Sequence, residues 1–302
     1  MTATVGLVGA RGHVGGELVR LLAGHPQLGL TRAASRSDVG ARLHDGPVLE
    51  DMSPEAVAAW PVDVVVLALP NGHAPAYAAL ARPGVVVIDL SADHRFDPAW
   101  VYGLPERTRG RVAGARRIAN PGCYATGVQL GLAPLLRHLA GPPHVFGVSG
   151  YSGAGTTPSP RNDPARLHDN MLPYALTGHV HEREASAQLG RPLHFMPHVG
   201  AWFRGITLTI SAPLARTLDP AALLAEYQRA YADEPRIHVT ADIPEVRAIA
   251  NSHDLHIGGF AVDDHHAVVI VTLDNLLKGA ATQALQNINL ALGLPEHQGI
   301  PT

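Results

Sequence analysis

The sequence has very little cysteine: Cys123 is the only one among its 302 residues. A single thiol excludes an intramolecular disulfide and a zinc site built from several cysteines. A lone cysteine is often a small buried apolar residue, so its presence alone assigns it no role. Because the chain also contains 18 histidines, a cysteine nucleophile with a histidine partner stays open as a class of site.

A strong excess of charge and long apolar runs are also missing. The formal net charge is −3, which leaves no basic surface for nucleic acid or for an anionic membrane. No apolar run reaches the length of a membrane-spanning helix, and the opening Met-Thr-Ala-Thr lacks the basic region of a signal peptide. We therefore expect a cytoplasmic protein that acts on a small molecule, with neither nucleic acid nor membrane as a partner.

Metal-binding motifs are missing as well. The 18 histidines are scattered, and neither His-Glu-x-x-His nor a compact His/Asp triad occurs. We therefore expect no metal ion. With 46% hydrophobic residues the chain can bury a large core, and its length favours two domains.

The first third of the chain alternates short β-branched runs with helix-like stretches. Runs at 4–8, 63–68 and 85–90 predict strands, and stretches at 15–24 and 74–81 predict helices. This alternation is typical of a parallel sheet with crossover helices, and it predicts a Rossmann-type domain of the α/β class.

After residue 123 the pattern changes to closely spaced strands, at 145–149, 193–196, 206–212, 237–240, 255–261 and 267–273. They predict a second, α+β domain with a mostly antiparallel sheet. The Gly-, Ser- and Pro-rich stretch 150–163 is too long for a simple turn and predicts a functional loop. At 274–293 apolar residues recur every three or four positions, which predicts a helix.

A glycine-rich turn, Gly9-x-x-Gly12-x-x-Gly15, follows the first predicted strand and opens the first predicted helix. Glycines at this spacing let the backbone turn tightly and approach a pyrophosphate, which the helix N-terminus attracts. A merely tight turn is the alternative. The motif predicts a dinucleotide site formed by Gly9, Arg11, Gly12, His13, Val14 and Gly15.

The acidic residue that binds the ribose hydroxyls of NAD in a Rossmann fold is missing from the segment 33–37. Ser35 and Arg36 stand there instead, and both are suited to hydrogen-bond a 2′-phosphate. The sequence therefore favours NADP. Taken alone, Arg36 fits a solvated loop equally well.

Cys123 lies in the run Asn120-Pro121-Gly122-Cys123-Tyr124, between a strand-like segment and a helix-like stretch over 126–139. This order places the sulfur at the first turn of a helix. The free backbone N–H groups and the positive end of the helix dipole stabilise a thiolate there. A dinucleotide site together with an activated cysteine indicates acyl transfer coupled to hydride transfer, through a thioester.

Thioester chemistry of this kind also needs a proton shuttle. His179 and His181 are the best candidates, because Gly178 and the charged residues that follow predict a loop leading into a helix. We expect His179 to contribute more than His181 and to titrate near the ordinary imidazole pKa. If the segment is helical, the two rings will not face one cleft. Should neither act, His198 is the next candidate.

Several segments together resemble the N-acetyl-gamma-glutamyl-phosphate reductases of the semialdehyde dehydrogenase superfamily, over nearly the whole chain. The most specific of them is Asn-Pro-Gly-Cys-Tyr at 120–124. The others are the glycine-rich turn and the segments 89–96, 102–106, 149–155, 179–181, 204–206 and 274–280.

The resemblance implies an NADP-dependent reductase of arginine biosynthesis, with Cys123 as nucleophile and His179 as acid and base. The implied domains are a dinucleotide-binding domain, 1–122 plus 275–302, and a catalytic, substrate-binding and dimerisation domain, 123–274. A homo-oligomer, either a dimer or a tetramer, is also implied. Further implied contacts are Ser152, Gly153 and Asn275 to the cofactor, and Arg95, Asn120, His181, Glu184 and Arg204 to the substrate. Arg95 suits a phosphate or carboxylate, or an ion pair with Asp93 or Asp97.

Two other functions stay open. A sister reductase acting on N-acetyl-aminoadipyl phosphate or aspartyl phosphate would use the same chemistry, and one methylene in a pocket is worth only about 1–3 kcal/mol. The other alternative is a nucleotide-binding redox sensor in which Cys123 is oxidised. A sensor needs a resolving or partner thiol, and this chain has no second cysteine.

Overall fold

The computed structural model describes residues 2–44 and 46–302, which divide into two compact units. The first unit runs up to Gly122 and also includes Ala280–Thr302, and the second is Cys123–Gly279. The strands are β1 (Ala3–Val8), β2 (Leu28–Ala34), β3 (Leu49–Glu50), β4 (Val64–Leu67), β5 (Val86–Asp89), β6 (Val101–Tyr102), β7 (Arg117–Ala119), β8 (His144–Gly150), β9 (Leu172–Pro173), β10 (His194–Gly200), β11 (Ile206–Pro213), β12 (Ile237–Val239), β13 (Leu255–Asp263) and β14 (His266–Leu273).

The helices are mostly short, and several begin with a proline in the first turn, where its missing N–H costs no hydrogen bond. They are α1 (His13–Ala23), α2 (Pro54–Ala58), α3 (Ala74–Leu80), α4 (Pro105–Val112), α5 (Cys123–Leu132), α6 (Pro164–Leu167), α7 (Val180–Leu189), α8 (Pro220–Ala230), α9 (Val246–Ile249) and α10 (Thr282–Ala291). Within the described ranges, no helix is both long and apolar enough to cross a membrane.

The first unit is built on a parallel sheet with the strand order β3-β2-β1-β4-β5-β7-β6. Its pairings in the described residues are all parallel. The central strands β4 and β5 are buried along their whole length, as expected when helices cover both faces of a sheet. The predicted Rossmann-type sheet is confirmed, and the carboxyl ends of its strands define the edge where such folds bind nucleotides.

The C-terminal helix of the first unit is buried on almost every side. Leu285 and Ile288 join the apolar core, where the helix packs against β5, α4 and α1, while polar residues satisfy backbone groups of nearby loops. Asn287 Nδ2 donates to the carbonyl of Gly103 at 2.8 Å, and Asn289 Nδ2 donates to that of Gln298 at 2.9 Å. The helix predicted over 274–293 is present from residue 277, where it opens with one π-helical turn.

The second unit holds a mixed sheet with the order β12-β13-β14-β11-β8-β10-β9. The pairs β8/β10 and β12/β13 are parallel, and the others are antiparallel, so the predicted mostly antiparallel sheet is confirmed. Helix α5 lies close against β11 and β14 because it carries glycines where it meets them. A Cβ at Gly127 would stand 2.5 Å from Cδ1 of Leu208.

The helix predicted over 126–139 begins earlier and ends earlier than expected. It starts at Cys123, ends at Leu132 and continues as a 3-10 turn over Ala133–His138. Pro134 explains the change, because it has no N–H to donate to the α-helical ladder. The sulfur of Cys123 therefore belongs to the first residue of the helix, as expected.

Candidate active site

The glycine-rich turn between β1 and α1 depends on two of its glycines. Gly9 has φ +86°, a left-handed conformation, and a Cβ there would overlap the carbonyl oxygen of Ala68. A Cβ at Gly15 would overlap the carbonyl oxygen of Gly9 and lie 2.9 Å from the carbonyl carbon of Ala10. The backbone N–H groups of Gly9 and Ala10 both donate to Ala34, which ties the turn to the end of β2.

The N-terminus of α1 is suited to an anion. Gly12 is its N-cap residue and offers no side chain, and the first turn as described contains no acidic residue. The positive end of the helix dipole and the start of α1 therefore suit the negative charge of a pyrophosphate. This arrangement of Gly9, Gly12 and Gly15 fits a nicotinamide dinucleotide. Arg11, His13 and Val14 occupy the same turn, as the sequence predicted.

The loop after β2 places Ser35 and Arg36 at the carboxyl end of that strand. Ser35 is buried and Arg36 is exposed. The carboxylate of Asp38 in the same loop pairs with Arg11 at 3.0 Å, so its charge is balanced. In the part of the chain that the structure describes, no carboxylate lies within ion-pair distance of Arg36. Among the described residues, its guanidinium therefore has no ion-pair partner.

Arg95 and Asn120, predicted to bind substrate, are brought together in the first unit. Arg95 Nε donates to the carbonyl of Asn120 at 2.9 Å, and its Nη2 donates to that of Leu90 at 2.9 Å. The side-chain oxygen of Asn120 accepts from Asn287 Nδ2 at 2.9 Å. These bonds fix the backbone just before the Pro-Gly-Cys segment.

A buried polar cluster close to Arg95 was missed in the sequence. Asp89 is fully buried at the end of β5, and its carboxylate lies 2.7 Å from Nδ1 of His94. The imidazole of His94 stacks on Trp100 with a centroid distance of 3.9 Å. The sequence does show an acidic residue at the end of a strand and a histidine five residues later. Hydrophobic periodicity, however, does not predict that two such polar side chains are buried together.

Cys123 lies half-buried in the second unit, beside two tyrosines. Burial first, and then the negative charge of the Cys123 thiolate, raise the pKa of Tyr174 to about 12. Burial also raises the pKa of Tyr124 well above its usual range, with smaller contributions from Tyr174 and Cys123. The backbone of Gly279 approaches closely, since a Cβ there would lie 2.7 Å from Cβ of Cys123.

His179 is the N-cap residue of α7. Its Nδ1 accepts a hydrogen bond from the backbone N–H of His181 at 3.1 Å. Burial lowers the pKa of His179 to about 4, and the charge of Arg161 lowers it further, against the opposing effect of Glu182. The expectation of an ordinary imidazole pKa is therefore wrong. His179 is neutral at pH 7, with Nδ1 as acceptor and Nε2 as donor.

His179 and His181 face the same tyrosine ring. Their ring centroids lie 6.4 Å and 5.9 Å from that of Tyr124, and 4.8 Å from each other. The expected divergence of the two rings assumed that both residues are helical. His179 instead has extended backbone angles, φ −54° and ψ 143°, which turn its ring toward that of its neighbour.

Glu182, missed in the sequence, fixes this helix start. Its Oε1 accepts from the N–H of Gly178 at 3.0 Å, and its Oε2 accepts from the N–H of Phe195 at 2.8 Å. The glutamate three residues after the cap was a recognisable signal, because it resembles a capping box with histidine as the cap. His198, the next candidate, lies on β10. Its backbone carbonyl accepts a hydrogen bond from the hydroxyl of Tyr124 at 2.7 Å.

The residues predicted to bind the cofactor from the second unit form a group of their own. Asn275 Nδ2 donates to Ser152 Oγ at 2.9 Å, and its Oδ1 accepts from the N–H of Gly205 at 2.8 Å. A Cβ at Gly153 would meet Ser149 Oγ at 2.9 Å. Sequence segments far apart in the chain are thus joined here, as expected if they serve one site.

Arg204 and Glu184, both predicted to bind substrate, differ in their surroundings. Arg204 forms a two-point ion pair with the buried Asp274, whose oxygens lie 2.6 Å from Nε and 3.0 Å from Nη2. Glu184 is fully buried within α7. Among the described residues, no group of three or more histidine, cysteine or acidic side chains is placed to hold a metal ion.

Comparison with known proteins defines the class to which this fold and site belong. The family model described as "Semialdehyde dehydrogenase, NAD binding domain" matches residues 4–115, and "Semialdehyde dehydrogenase, dimerisation domain" matches residues 123–275. The structure of aspartate semialdehyde dehydrogenase II from Vibrio cholerae is similar with a TM-score of 0.78, at 19% identity, over 97% of this chain and 99% of that one. The fold is that of the semialdehyde dehydrogenases.

Relatives in sequence are more specific. An N-acetyl-gamma-glutamyl-phosphate reductase from Xanthomonas oryzae pv. oryzae is 56% identical, over 98% of this chain and 97% of its own length. A reductase of the same name from Stenotrophomonas maltophilia is 55% identical, over 99% and 98%. The chain belongs to the N-acetyl-gamma-glutamyl-phosphate reductase family. It is an oxidoreductase that uses a nicotinamide cofactor.

Proposed function

We propose that the chain reduces N-acetyl-gamma-glutamyl phosphate to N-acetyl-glutamate semialdehyde and phosphate with NADPH, in arginine biosynthesis, through a thioester on Cys123. The names of its relatives support the substrate. The observation that carries the proposal is the position of Cys123 at the first residue of α5, beside Tyr174, whose ring also contacts His179 at 5.6 Å. A nucleophile and a neutral imidazole thus share one aromatic neighbour.

In the first chemical step the thiolate of Cys123 attacks the acyl carbon. A carbon–sulfur bond forms, the carbon–oxygen bond to phosphate breaks, and phosphate leaves with that electron pair. The N-terminal N–H groups of α5 stabilise the thiolate before attack. A nicotinamide dinucleotide held at the glycine-rich turn would supply the hydride for the thioester carbonyl.

His179 stabilises the oxygen of the reacting carbonyl. Because its Nδ1 accepts from a backbone N–H, its proton is on Nε2, and Nε2 donates a hydrogen bond to the oxygen as negative charge develops. The resulting thiohemiacetal oxyanion collapses to the aldehyde, and the carbon–sulfur bond breaks to return the thiolate. The proton consumed in the whole reaction ends on the released phosphate. His181 packs against the same tyrosine and orients the ring of His179.

For the cofactor we propose NADP rather than NAD. Arg36 and Ser35 lie at the end of β2, where the ribose of the adenosine half binds in Rossmann folds. Among the described residues no carboxylate forms an ion pair with Arg36, and Asp38 in the same loop is paired with Arg11. A 2′-phosphate is the anion that this pattern favours. Ser152, Gly153 and Asn275 are proposed to complete the cofactor site, with Arg95, Asn120, Glu184 and Arg204 serving the substrate.

The second unit is proposed to join copies of the chain into a homo-oligomer, with a dimer as its smallest form. It matches a family model described as a dimerisation domain. Opposite the face that α5 covers, its sheet presents the exposed Phe146 and the half-buried Thr209 and Ile270. Since one cysteine fits a reducing compartment, we extend the proposal to the cytoplasm.

An absorbance assay in the reverse direction tests the function. Purified protein is supplied with N-acetyl-glutamate semialdehyde, phosphate and NADP, and NADPH is followed by its absorbance. We expect turnover that depends on all three components and a much lower kcat/KM with aspartate semialdehyde. Equal or better turnover of aspartate semialdehyde or of the N-acetyl-aminoadipyl homologue would instead assign a sister reaction.

A further inference from the structure

The loop between β8 and α6 has a defined internal structure that fixes the position of Arg161. Asn162 lies at its centre: its Oδ1 accepts from the N–H of Ser159 at 2.7 Å, and its Nδ2 donates to Gly155 at 2.9 Å and Thr157 at 2.8 Å. The loop is therefore held by one side chain, and the neighbouring Arg161 is presented from a rigid frame rather than from a free segment.

Arg161 lies over an aromatic ring instead of pairing with an acid. Its guanidinium carbon is 4.9 Å from the centroid of Tyr174. Its side chain is exposed, and no carboxylate in the described residues is within ion-pair distance of it. One side-chain hydrogen bond also joins the guanidinium to Tyr174, and a guanidinium has five N–H donors, so others are left to bind a planar anion.

This arginine belongs to the surroundings of Cys123 and His179. Tyr174 carries Arg161 on its ring, contacts the ring of His179 at 5.6 Å and feels the charge of the Cys123 thiolate. Tyr174 itself is fixed by its backbone N–H, which donates to the carbonyl of Pro197 at 3.2 Å. The ring of Tyr174 therefore has the cation of Arg161 and the nucleophile Cys123 as neighbours.

We propose that Arg161 binds the α-carboxylate of the substrate while Cys123 attacks its γ-carbonyl. This inference rests on the proposed function. In N-acetyl-gamma-glutamyl phosphate the carboxylate is separated from the reacting carbonyl by three carbons, so the two ends of the substrate occupy different sites. A guanidinium fork binds a carboxylate through two parallel hydrogen bonds, which fixes the direction of the substrate chain as well as its charge.

The same contact links substrate binding to His179. The charge of Arg161 contributes to the low pKa of that imidazole, after burial. A carboxylate bound to Arg161 compensates this charge and raises the pKa of His179 toward its usual range. The charged groups that act on His179 are Arg161, Glu182 and Arg183, and of these Arg161 has the largest effect.

The kinetic test compares Arg161→Ala and Arg161→Lys with Arg166→Ala, an exposed arginine in the neighbouring α6. In the reverse assay we expect Arg161→Ala to raise the KM for the semialdehyde roughly 10- to 100-fold, as for loss of a charge-assisted pair, with KM for phosphate and Kd for NADP unchanged. Arg161→Lys should recover part of the loss, and Arg166→Ala should match wild type. An unchanged semialdehyde KM, or a rise in phosphate KM instead, would overturn the proposal.

A substrate analogue gives the matched control. The α-amide of the semialdehyde lacks the negative charge, so wild type should lose as much kcat/KM with it as Arg161→Ala loses with the acid. The variant should then lose little more with the amide. Equal discrimination between acid and amide in both proteins would place the carboxylate on another residue.

A spectroscopic arm separates this proposal from the proposed function. The pKa of His179 is followed by NMR in the NADP-bound protein with and without N-acetyl-glutamate as a carboxylate probe. We expect the probe to raise the pKa in wild type, and Arg161→Ala to start higher and respond weakly. Inactivity of wild type with the semialdehyde would reject the function, whereas a probe response that survives in Arg161→Ala would reject the role of Arg161.

Discussion

Nδ1 of His179 accepts the backbone N–H of His181 at 3.1 Å, so an imidazole that contacts the ring of Tyr174 is also the cap of a helix. While this hydrogen bond stands, Nδ1 cannot carry a proton, and the neutral ring has its proton on Nε2. Protonation of the ring would place two donors against each other and break the cap. The stability of α7 and the proposed catalytic role thus depend on the same imidazole. An informative substitution must change one of them and keep the other.

Asparagine at position 179 separates the two roles. Asn is among the best N-cap residues, so His179→Asn should keep the stability of α7, whereas His179→Ala should lose about 1 kcal/mol of unfolding free energy. Both variants should lose roughly 10²- to 10³-fold in kcat, the range for removal of a single donor to a developing oxyanion. Rapid-mixing kinetics and urea unfolding measure the two quantities.

The matched control is His181→Asn, which removes the neighbouring ring but leaves the N–H that His179 accepts. It should lower kcat less than either substitution of His179. The reverse ranking would exchange the roles of the two histidines, and near-normal activity of all three variants would move the role of hydrogen-bond donor to the oxyanion to His198.

The low pKa of His179 predicts a pH dependence of stability. The folded-state value of about 4 lies below the ordinary 6.5, so the unfolded chain binds the proton more tightly. The free energy of unfolding therefore keeps its full value above about pH 6.5, and it decreases as the pH falls toward 4 because the unfolded chain takes up the proton first. We expect the unfolding free energy, measured with urea, to decrease less between pH 7.5 and pH 5 in His179→Asn than in wild type. An equal loss in both proteins would assign the acid sensitivity to other groups, such as the buried His25, whose pKa burial also lowers.

Removal of the thiol tests covalent catalysis. Cys123→Ala should abolish turnover in both directions, while the Kd for NADP stays within a few-fold of wild type, because the glycine-rich turn belongs to the other unit. Isothermal titration with NADP and the absorbance assay provide the two measurements. A variant that keeps more than a small residual rate would exclude the thioester.

The sequence predicted the fold class well because periodicity reports burial, but it could not interpret buried polar residues. The helix over 274–293 was predicted from its apolar residues, yet Asn287 and Asn289 are as buried as Ile288. Their partners are the carbonyls of Gly103, in the loop after β6, and of Glu296 and Gln298, in the segment after α10. Hydrogen bonds between distant segments carry no period, and this is why such residues read as solvent-facing.

The same limit applies at the site. Local order placed Cys123 at a helix start and the glycines at a nucleotide turn, because both features are encoded within a few residues. The orientation of the His179 ring depends on its position just outside α7. The position of Arg161 depends on a loop folded around Asn162. Neither is visible until the tertiary contacts are known.

Cofactor preference is tested at the end of β2. Arg36→Asp should weaken NADP binding and improve NAD binding, so that the ratio of their Kd values narrows or reverses, because a carboxylate repels the 2′-phosphate and accepts from the ribose hydroxyls. Arg20→Ala, an exposed arginine on α1 that pairs with Glu17, is the control for loss of a surface charge. Fluorescence titration of both nucleotides measures the effect. If wild type binds NAD as tightly as NADP, this loop has been assigned wrongly.

The glycine-rich turn offers a test with an internal control, since Gly9, Gly15 and Gly16 differ in what a methyl group would meet. At Gly9 it would overlap the carbonyl of Ala68 on a left-handed backbone, and at Gly15 it would overlap the carbonyl of Gly9. At Gly16 nothing lies within 4 Å among the described atoms.

We expect Gly9→Ala and Gly15→Ala each to cost at least about 2 kcal/mol of unfolding free energy and to weaken NADP binding at least 10-fold, because the turn must open to admit the methyl group. Gly16→Ala should instead stabilise the protein by about 0.5–1 kcal/mol, as alanine does in a helix, and leave NADP binding unchanged. Urea unfolding and nucleotide titration of the three variants decide the point: equal behaviour at Gly9 and Gly16 would mean that close backbone packing does not shape the nucleotide site.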